Sequence, residues 1–546
     1  MERLQIIATK TSNGLKLWAA RAPEGIAAWW RGSGRHRVVG QALPADELFI
    51  RLALLQSPGM AGRMAQWAAQ LRSREVPAEP MGCPAGLDVA LGLSVLRDAV
   101  AGRIVFEERV LSLLRREGFW PRDSGLLLDC AAYHGLVEQL PGVSRQPWGA
   151  WLCNRCGGQA VTREPCPACR RSDCPLCTEC IGLGASRGCR LLIAAPRAEA
   201  AEERAADFTL PYDLTPAQAE AAAQLEAFLT SDDQRTLVWA ACGAGKTEVT
   251  FPLIRKALNA GLDVLFAVPR QDVVRELADR FRRAFTGVEV AVHYGGQPWH
   301  TQGPLVIATT HQVLHFYRRF GLAVLDEMDA FPYGGSEMLR FGLRRSLQPG
   351  GKLVEMSATP SQIPKSGRLV TIPVRHHGHP LPEPEFVKSR PGCIPQQIME
   401  VLKDSEEQWL VFVPTVSACE ELAAHLVEQL QEHVASCHSR HPQRREQIEA
   451  FRMRERRIMV ATAVLERGVT FPGVHVIVVN ADHHLFSRSA LVQMAGRVGR
   501  SAAHPTGTVI FCGTRRNEAV KGAQAMIRRL NEEAERQGLL RGDLCV

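Results

Sequence analysis

At 546 residues the chain is too long for a single core and predicts roughly three to four domains. Its 46% apolar share is ordinary for a water-soluble protein, and it has neither a run of about 18 apolar residues nor a signal-peptide core, which argues against a membrane-spanning helix and predicts a cytosolic protein. Lys and Arg outnumber Asp and Glu by 65 to 57, a basic excess that fits nucleic acid contact without requiring it.

Residues 1–150 show helical periodicity over Ala45–Ala69 and Leu93–Leu114 but no motif to which chemistry attaches, so their role is unassigned. Trp29, Trp30, Trp120, Trp148 and Trp151 are read as packing residues rather than base-stacking ones, since large aromatics are usually buried. Residues 151–192 are different. Eight of the sixteen cysteines fall there, as Cys153-x2-Cys156, Cys166-x2-Cys169, Cys174-x2-Cys177-x2-Cys180 and Cys189. In a reducing compartment such pairs serve metal rather than disulfides, and two C-x2-C turns suffice to close one tetrahedral Zn2+ site. Eight thiols can hold two ions, or one ion with thiols to spare. Arg155, Arg163, Arg170, Arg171, Arg187 and Arg190 in the same stretch suggest either a phosphate-contacting module or a solvated basic surface.

After a connecting stretch, Ala194–Asp207, Thr215 and Pro216 are placed as N-cap and first residue of a helix. Gln218, shortly before a phosphate loop, is a candidate reader of an adenine edge. The loop is Ala240-Ala-Cys-Gly-Ala-Gly-Lys-Thr247, an A-x-x-G-x-G-K-T match at the end of an apolar strand. Its residues Ala240, Ala241, Cys242, Gly243, Ala244, Gly245, Lys246 and Thr247 would bind ATP and Mg2+: backbone amides and Lys246 take the phosphates, and the Thr247 hydroxyl takes the metal. Cys242 reads first as a small residue that the turn tolerates, and second as a thiol made reactive by its electropositive setting.

Apolar runs at Leu237–Ala241, Val264–Val268, Leu305–Ala308, Leu322–Leu325 and Leu353–Met356 alternate with helical stretches, predicting a parallel sheet with its functional groups at the strand C-termini. Motifs fall at those ends. Asp326 would hold Mg2+ and Glu327 would polarise the attacking water. Ser357 and Thr359 would couple nucleotide state to domain closure. Arg270, Thr309 and Thr310 would grip a nucleic acid backbone. Past a Pro/Gly/His-rich boundary, Pro373–Pro395, further runs at Trp409–Val413, Ile458–Ala461, Val474–Val479 and Thr508–Phe511 predict a second sheet of the same kind without a phosphate loop. It carries Thr462 as a further DNA contact, Gly468 near the nucleotide, Gln493 as a coupling residue, and Arg497 and Arg500, three apart on one helix face, as arginine fingers.

The ordered set A-C-G-A-G-K-T, D-E-M-D, S-A-T, L-E-R-G-V-T-F-P and Q-M-A-G-R-V-G-R resembles superfamily 2 helicases over residues 205–515. More narrowly, Ala308–Tyr317, Asp326–Tyr333 and Leu465–Pro472, behind a cysteine-rich segment, resemble the ComFA family. That resemblance implies a DNA-dependent ATPase of bacterial natural competence that helps draw single-stranded DNA through the membrane channel. It implies work at the cytosolic face of that channel, cytoplasmic or peripheral at the inner face of the membrane, beside a phosphoribosyltransferase-like partner, with oligomerisation left open. It also implies that Cys153/Cys156 and Cys177/Cys180 are the core zinc pairs, with Cys166, Cys169, Cys174 and Cys189 a second set. The expected architecture is α/β: two RecA-like domains, residues 205–372 and 380–546, behind the zinc module 151–192 and the region 1–150. The alternatives are a replication-restart helicase resembling PriA, whose cysteines interrupt the second motor domain instead, and a DNA-binding adaptor that has lost turnover, against which Lys246, Glu327, Arg497 and Arg500 speak.

Overall fold

The computed structural model describes residues 88–146, 149–197, 203–360, 368–466 and 471–541, except the side chains of residues 121 and 122, together with the backbone of four strands nearer the N-terminus. Those four, Leu4–Thr11, Gly14–Ala20, His36–Leu43 and Ser73–Glu75, form one antiparallel sheet. The helix expected over Ala45–Ala69, and Trp29, Trp30 and Trp148, lie outside the described residues.

Residues 89–195 form a small α/β unit. The periodicity expected to run as one helix over Leu93–Leu114 is broken into the helices Val89–Val100 and Glu107–Arg116 by the strand Arg103–Phe106. Gly102, at φ +70°, turns the chain, and Ile104-Val-Phe106 favours a strand. This strand pairs with Leu191–Ala195, which also pairs with Glu138–Pro141. The cysteine-rich stretch is therefore an insertion between two strands of one sheet, and no break in packing falls at residue 150. Trp120 does not pack as expected: it is 76% exposed at the start of the helix Pro121–Tyr133, whereas Trp151 lies half-buried against the motor core.

The first RecA-like domain is a seven-stranded, all-parallel sheet in the order Val290–His293, Leu305–Thr309, Val264–Val268, Phe320–Leu325, Leu347–Ser357, Arg235–Ala240 and Arg368–Ile372. Apart from exposed Arg235 at the start of one, its central strands are buried, as strands covered on both faces must be. The second RecA-like domain has six parallel strands, ordered Glu385–Lys388, Val509–Gly513, Val474–Val478, Gln408–Phe412, Ile458–Ala461 and Ala435–Cys437. One contiguous apolar cluster joins the two domains, running from Phe251, Phe281 and Phe285 to Phe412, Leu491 and Phe511. Cys242, Asp329 and Thr359, which lie just past the C-termini of first-sheet strands, meet the helix Arg488–Ala495 of the second domain. Among the described residues no helix is long and apolar enough to cross a membrane.

Candidate active site

The strand Arg235–Ala240 is interior to its sheet and leads straight into the phosphate loop, so the loop is anchored by two neighbouring strands. Ala241 N–H donates to the Ile372 carbonyl at 2.8 Å, and Ala244 N–H closes the turn on the Ala241 carbonyl at 3.0 Å. Gly243 and Gly245 sit at φ +84° and +75°, where a side chain is strained; a Cβ on Gly245 would also come within 2.4 Å of Gln218 Nε2. The chain next turns into the helix Lys246–Val249, with Thr247 buried at its start.

Gln218 stands beside the phosphate loop, its side chain bonded to the helix start and to the loop. Thr215 and Gln218 form a capping box: Thr215 N–H donates to Gln218 Oε1 at 2.9 Å, and Gln218 N–H reaches Thr215 Oγ1 at 3.4 Å. Gln218 Nε2 then donates to the Ala244 carbonyl at 2.9 Å. Its amide thereby braces the phosphate loop, a contact for which T-x-x-Q before an apolar helix was the available signal.

Lys246 Nζ lies 3.4 Å from Asp326 Oδ1, both side chains largely buried. Burial works to lower the Lys246 pKa, but the carboxylates of Asp326 and Glu327 outweigh it and hold the ammonium above its ordinary value. Asp326 ends the strand Phe320–Leu325, its N–H bonded to the Ala267 carbonyl. Glu327 follows at φ +54°, its N–H on Asp326 Oδ1 at 2.8 Å. A left-handed glutamate is a stored strain of the kind found where a side chain must be aimed.

Several contacts cross between the domains here, among them Thr359 Oγ1 to Ser489 Oγ at 2.7 Å. Asp329 accepts from Ser357 Oγ at 2.5 Å and from Thr359 Oγ1 at 2.7 Å, both of its own domain, and from Ser489 Oγ of the second domain at 2.6 Å. Cys242 Sγ, 6% exposed, reaches Gln493 Oε1 at 3.5 Å. The thiol is thus closed over by Gln493 and by Gly496, where a Cβ would come within 2.6 Å of Cys242 Cβ, instead of standing open to reagents.

Arg497 and Arg500 lie next to the same loop, Arg500 Cγ 3.8 Å from where a Cβ on Gly243 would stand. Arg497 donates to the Glu466 carbonyl through Nε at 3.1 Å and Nη2 at 2.6 Å, and Arg500 Nε donates to the Gly496 carbonyl at 2.9 Å. Burial lowers both pKa values, and Arg500 lowers that of Arg497 further; the opposing contribution comes from Cys242 and Glu327. A buried positive pair facing a carboxylate is a site shaped for added negative charge. Gly468 lies outside the described residues.

The candidate nucleic acid contacts gather at strand C-termini. Arg270 follows Val264–Val268 and is paired with Asp272 at 2.6 Å; Thr309 and Thr310 end Leu305–Thr309, with the buried Thr310 hydroxyl unpartnered; Thr462 follows Ile458–Ala461. The second domain has an open cleft of roughly 720 Å3 at the N-terminus of the helix Val416–Leu430, lined by Ser417, His438, Arg440 and His441, with Glu420 in the same lining 3.4 Å from His438. No sequence motif marked those residues.

The eight cysteines divide into two sets. Cys153, Cys156, Cys177 and Cys180 form one, Cys166, Cys169, Cys174 and Cys189 the other, and in each all four sulfurs lie within 4.8 Å of one another. Sulfur separations of 3.8 Å (Cys153–Cys180), 3.6 Å (Cys156–Cys177), 3.7 Å (Cys177–Cys180) and 3.7 Å (Cys166–Cys189) match the edge of about 3.8 Å of a tetrahedron with Zn–S bonds of about 2.3 Å. Four thiols, with no other ligand type, fit a closed structural Zn2+ site in each set. The basic side chains around them are largely engaged. Arg163 and Arg171 pair with Asp173, Arg187 with Glu164 and Arg190 with Glu108, while buried Arg155 donates to the carbonyls of Cys180, Leu183 and Gly184. The phosphate-contacting surface suggested by the arginine count is thus offset by local carboxylates.

Three family descriptions match the chain: the competence protein ComFA N-terminal domain over residues 105–194, the type III restriction enzyme res subunit over 211–362, and the helicase conserved C-terminal domain over 393–502. Competence protein ComFA of Streptococcus pneumoniae is 34% identical over 418 residues, 73% of this chain and 94% of that protein. The chain belongs to the ComFA family. ComFA of Bacillus subtilis is 38% identical over 322 residues, 56% of this chain and 69% of that protein. Among solved structures, RecG bound to a three-way DNA junction aligns over 61% of this chain and 48% of its own, at 20% identity and a TM-score of 0.43. This ComFA-family chain is a helicase-type ATPase of superfamily 2 with two RecA-like domains, a motor of the competence system.

Proposed function

We propose that the protein is an ATP-driven, single-stranded-DNA-stimulated translocase that serves DNA uptake in natural competence, built as motor domains 205–372 and 380–546. The observation that carries this reading is the meeting of both domains on one carboxylate, where Asp329 holds Thr359 from one side and Ser489 from the other. A motor needs such a junction, because turnover must be tied to the relative position of its two halves.

Mg-ATP would supply the scissile γ-phosphate and the charge neutralisation that phosphoryl transfer requires. Lys246 and the loop amides of residues 241–247 bind and orient the phosphates. Thr247 and Asp326 hold the metal, and Glu327 takes the proton of the attacking water. Arg497 and Arg500 stabilise the charge that develops on the transferred group, while Ser357, Thr359 and Gln493 report nucleotide state across the cleft. Arg270, Thr309, Thr310 and Thr462 grip the DNA backbone, and the Ser417–Arg440 cleft extends that track over the second domain. Each four-cysteine set holds one structural Zn2+. The name of its relatives, competence proteins of two bacteria, supports a role in competence; a place at the cytosolic face of the DNA-uptake channel, beside a phosphoribosyltransferase-like partner, belongs to the same proposal.

ATP hydrolysis measured with no nucleic acid, single-stranded DNA, duplex and RNA tests this reading. Single-stranded DNA should give the largest stimulation. Lys246→Ala and Glu327→Gln should each abolish turnover, the latter still binding ATP because Asp326 and Lys246 remain. Equal turnover with and without DNA would remove the motor reading.

A further inference from the structure

Between the two RecA-like domains the chain passes through Pro373–His379, and this segment carries a buried arginine that belongs to no motif. Arg375 is 1% exposed. Its Nε donates to the Cys242 carbonyl at 2.9 Å, Nη1 to the carbonyls of Val498, at 2.6 Å, and Gly499, and Nη2 to that of Gly496 at 3.3 Å. One planar guanidinium thus joins the phosphate loop of the first domain to the turn of the second domain that bears Arg497 and Arg500.

The acceptors explain why an arginine is needed. A phosphate loop turns its amides toward the phosphates, so its carbonyls face the rear, and Arg375 takes the rear carbonyl of Cys242. The helix Arg488–Ala495 ends at Gly496 with carbonyls lacking helical partners, where a cation is favoured. Among the described residues no carboxylate forms an ion pair with Arg375. Burial, then Arg500, lower its pKa to about 10, so it stays charged at neutral pH without a counter-ion, an arrangement that is costly unless position is what it provides. The turn is fitted around it: Gly499 sits at φ +67°, where a Cβ would come within 2.7 Å of Arg375 Nη1 and 2.3 Å of the Pro505 carbonyl. His377 Nε2 lies 2.9 Å from the Gly499 carbonyl and braces the same turn.

We propose that Arg375 is a positioning residue of the ATPase, fixing the register between the phosphate loop and the turn carrying Arg497 and Arg500 so that domain closure brings both arginines to the γ-phosphate. This rests on the role given above to those two arginines. Arg375 touches no reacting atom in this scheme; it acts through the loop and the turn.

Arg375→Met and Arg375→Lys test it in the full-length protein. With single-stranded DNA present, Arg375→Met should lower kcat by about 10²-fold, the scale of a misplaced catalytic group, while the Kd for a fluorescent ATP analogue stays within about threefold of the parent's. Small-angle scattering with ADP–beryllium fluoride should show the parent compacting and Arg375→Met binding the analogue without compacting. Arg375→Lys keeps the charge but loses the planar fork, and should fall between the two. If Arg375→Met does not fold, as judged by zinc content and circular dichroism, Arg375→Lys decides with the same readouts. A folded variant with parental kcat and parental compaction overturns the proposal. Should Arg497→Ala and Arg500→Ala leave turnover intact, the arginine-finger reading fails instead, and compaction still decides whether Arg375 sets the register.

Discussion

The two four-cysteine sets have the same ligands and opposite surroundings. The inner set, Cys153, Cys156, Cys177 and Cys180, is fully buried and shares one apolar cluster with Val313, Leu314, Phe316, Leu339 and Leu343 of the first RecA-like domain. Arg345 crosses that seam, donating to the carbonyls of Asn154 at 2.8 Å, Arg155 at 2.6 Å and Leu314 at 2.8 Å. Gly157 lies against Phe341, where a Cβ would come within 2.5 Å of the ring. The outer set clusters only with itself, and Cys169 is half-exposed. Identical ligand sets therefore have two settings: the inner one is part of the motor's core beside the segment Thr309–Tyr317, and the outer one lies within the insertion, apart from that core.

The largest effect that can break this comparison is loss of one ligand from each set. Cys177→Ser should remove about one Zn2+ per chain and, since structural zinc is worth about 10 kcal/mol or more of folding free energy, loosen the first RecA-like domain and cut DNA-stimulated turnover severely. Cys169→Ser should remove about one Zn2+ and leave turnover within about twofold. Metal analysis with ATPase rates on the two variants decides, and the reverse order would contradict the assignment of the inner set to the motor core.

A smaller effect sharpens the seam itself. Arg345→Met removes three hydrogen bonds to buried carbonyls and should destabilise the first domain by about 2–4 kcal/mol, read as faster proteolysis near residues 309–317, with zinc retained in the outer set. The smallest concerns His293, buried beside Arg103 and Arg319 where the N-terminal unit meets the motor. Burial first, then the two arginines, bring its pKa down to about 3. The unfolded chain takes up this proton below about pH 6.5 and the folded chain does not until about pH 3, so its contribution to stability is lost as pH falls from about 6.5. Between pH 7 and 5.5 the parent should lose about 1 kcal/mol more than His293→Gln, measured by urea midpoints.

Much of the nucleotide site was legible because phosphate chemistry dictates residues at fixed spacing: glycines at 243 and 245, Lys246 and Thr247, and a carboxylate pair at a strand end. Nine of the thirteen motor strands also announced themselves as apolar runs, while Val290–His293, Arg368–Ile372, Glu385–Lys388 and Ala435–Cys437 are short or at sheet edges, where burial and pattern weaken. Contacts between segments far apart in sequence were not legible. The spacing Cys174-x2-Cys177-x2-Cys180 alone does not say which thiols belong together; the division came from the resemblance to the ComFA family, and the fold brings it about by sending Cys174 outward and Cys177 inward. Arg375 sits in a Pro/His stretch that reads as a linker, because its acceptors are carbonyls at residues 242 and 496–499. Asp329 was visible inside D-E-M-D, yet its role as a junction depends on Ser489, a residue of no motif.

The claim that both domains work on one nucleotide is tested most directly by the affinity of the Glu327→Gln protein for a fluorescent single-stranded oligonucleotide, measured with saturating Mg-ATP and with saturating Mg-ADP. Coupling through Asp329, Gln493 and the two arginines predicts affinities that differ by about tenfold or more between the two nucleotides. Equal affinities would contradict it.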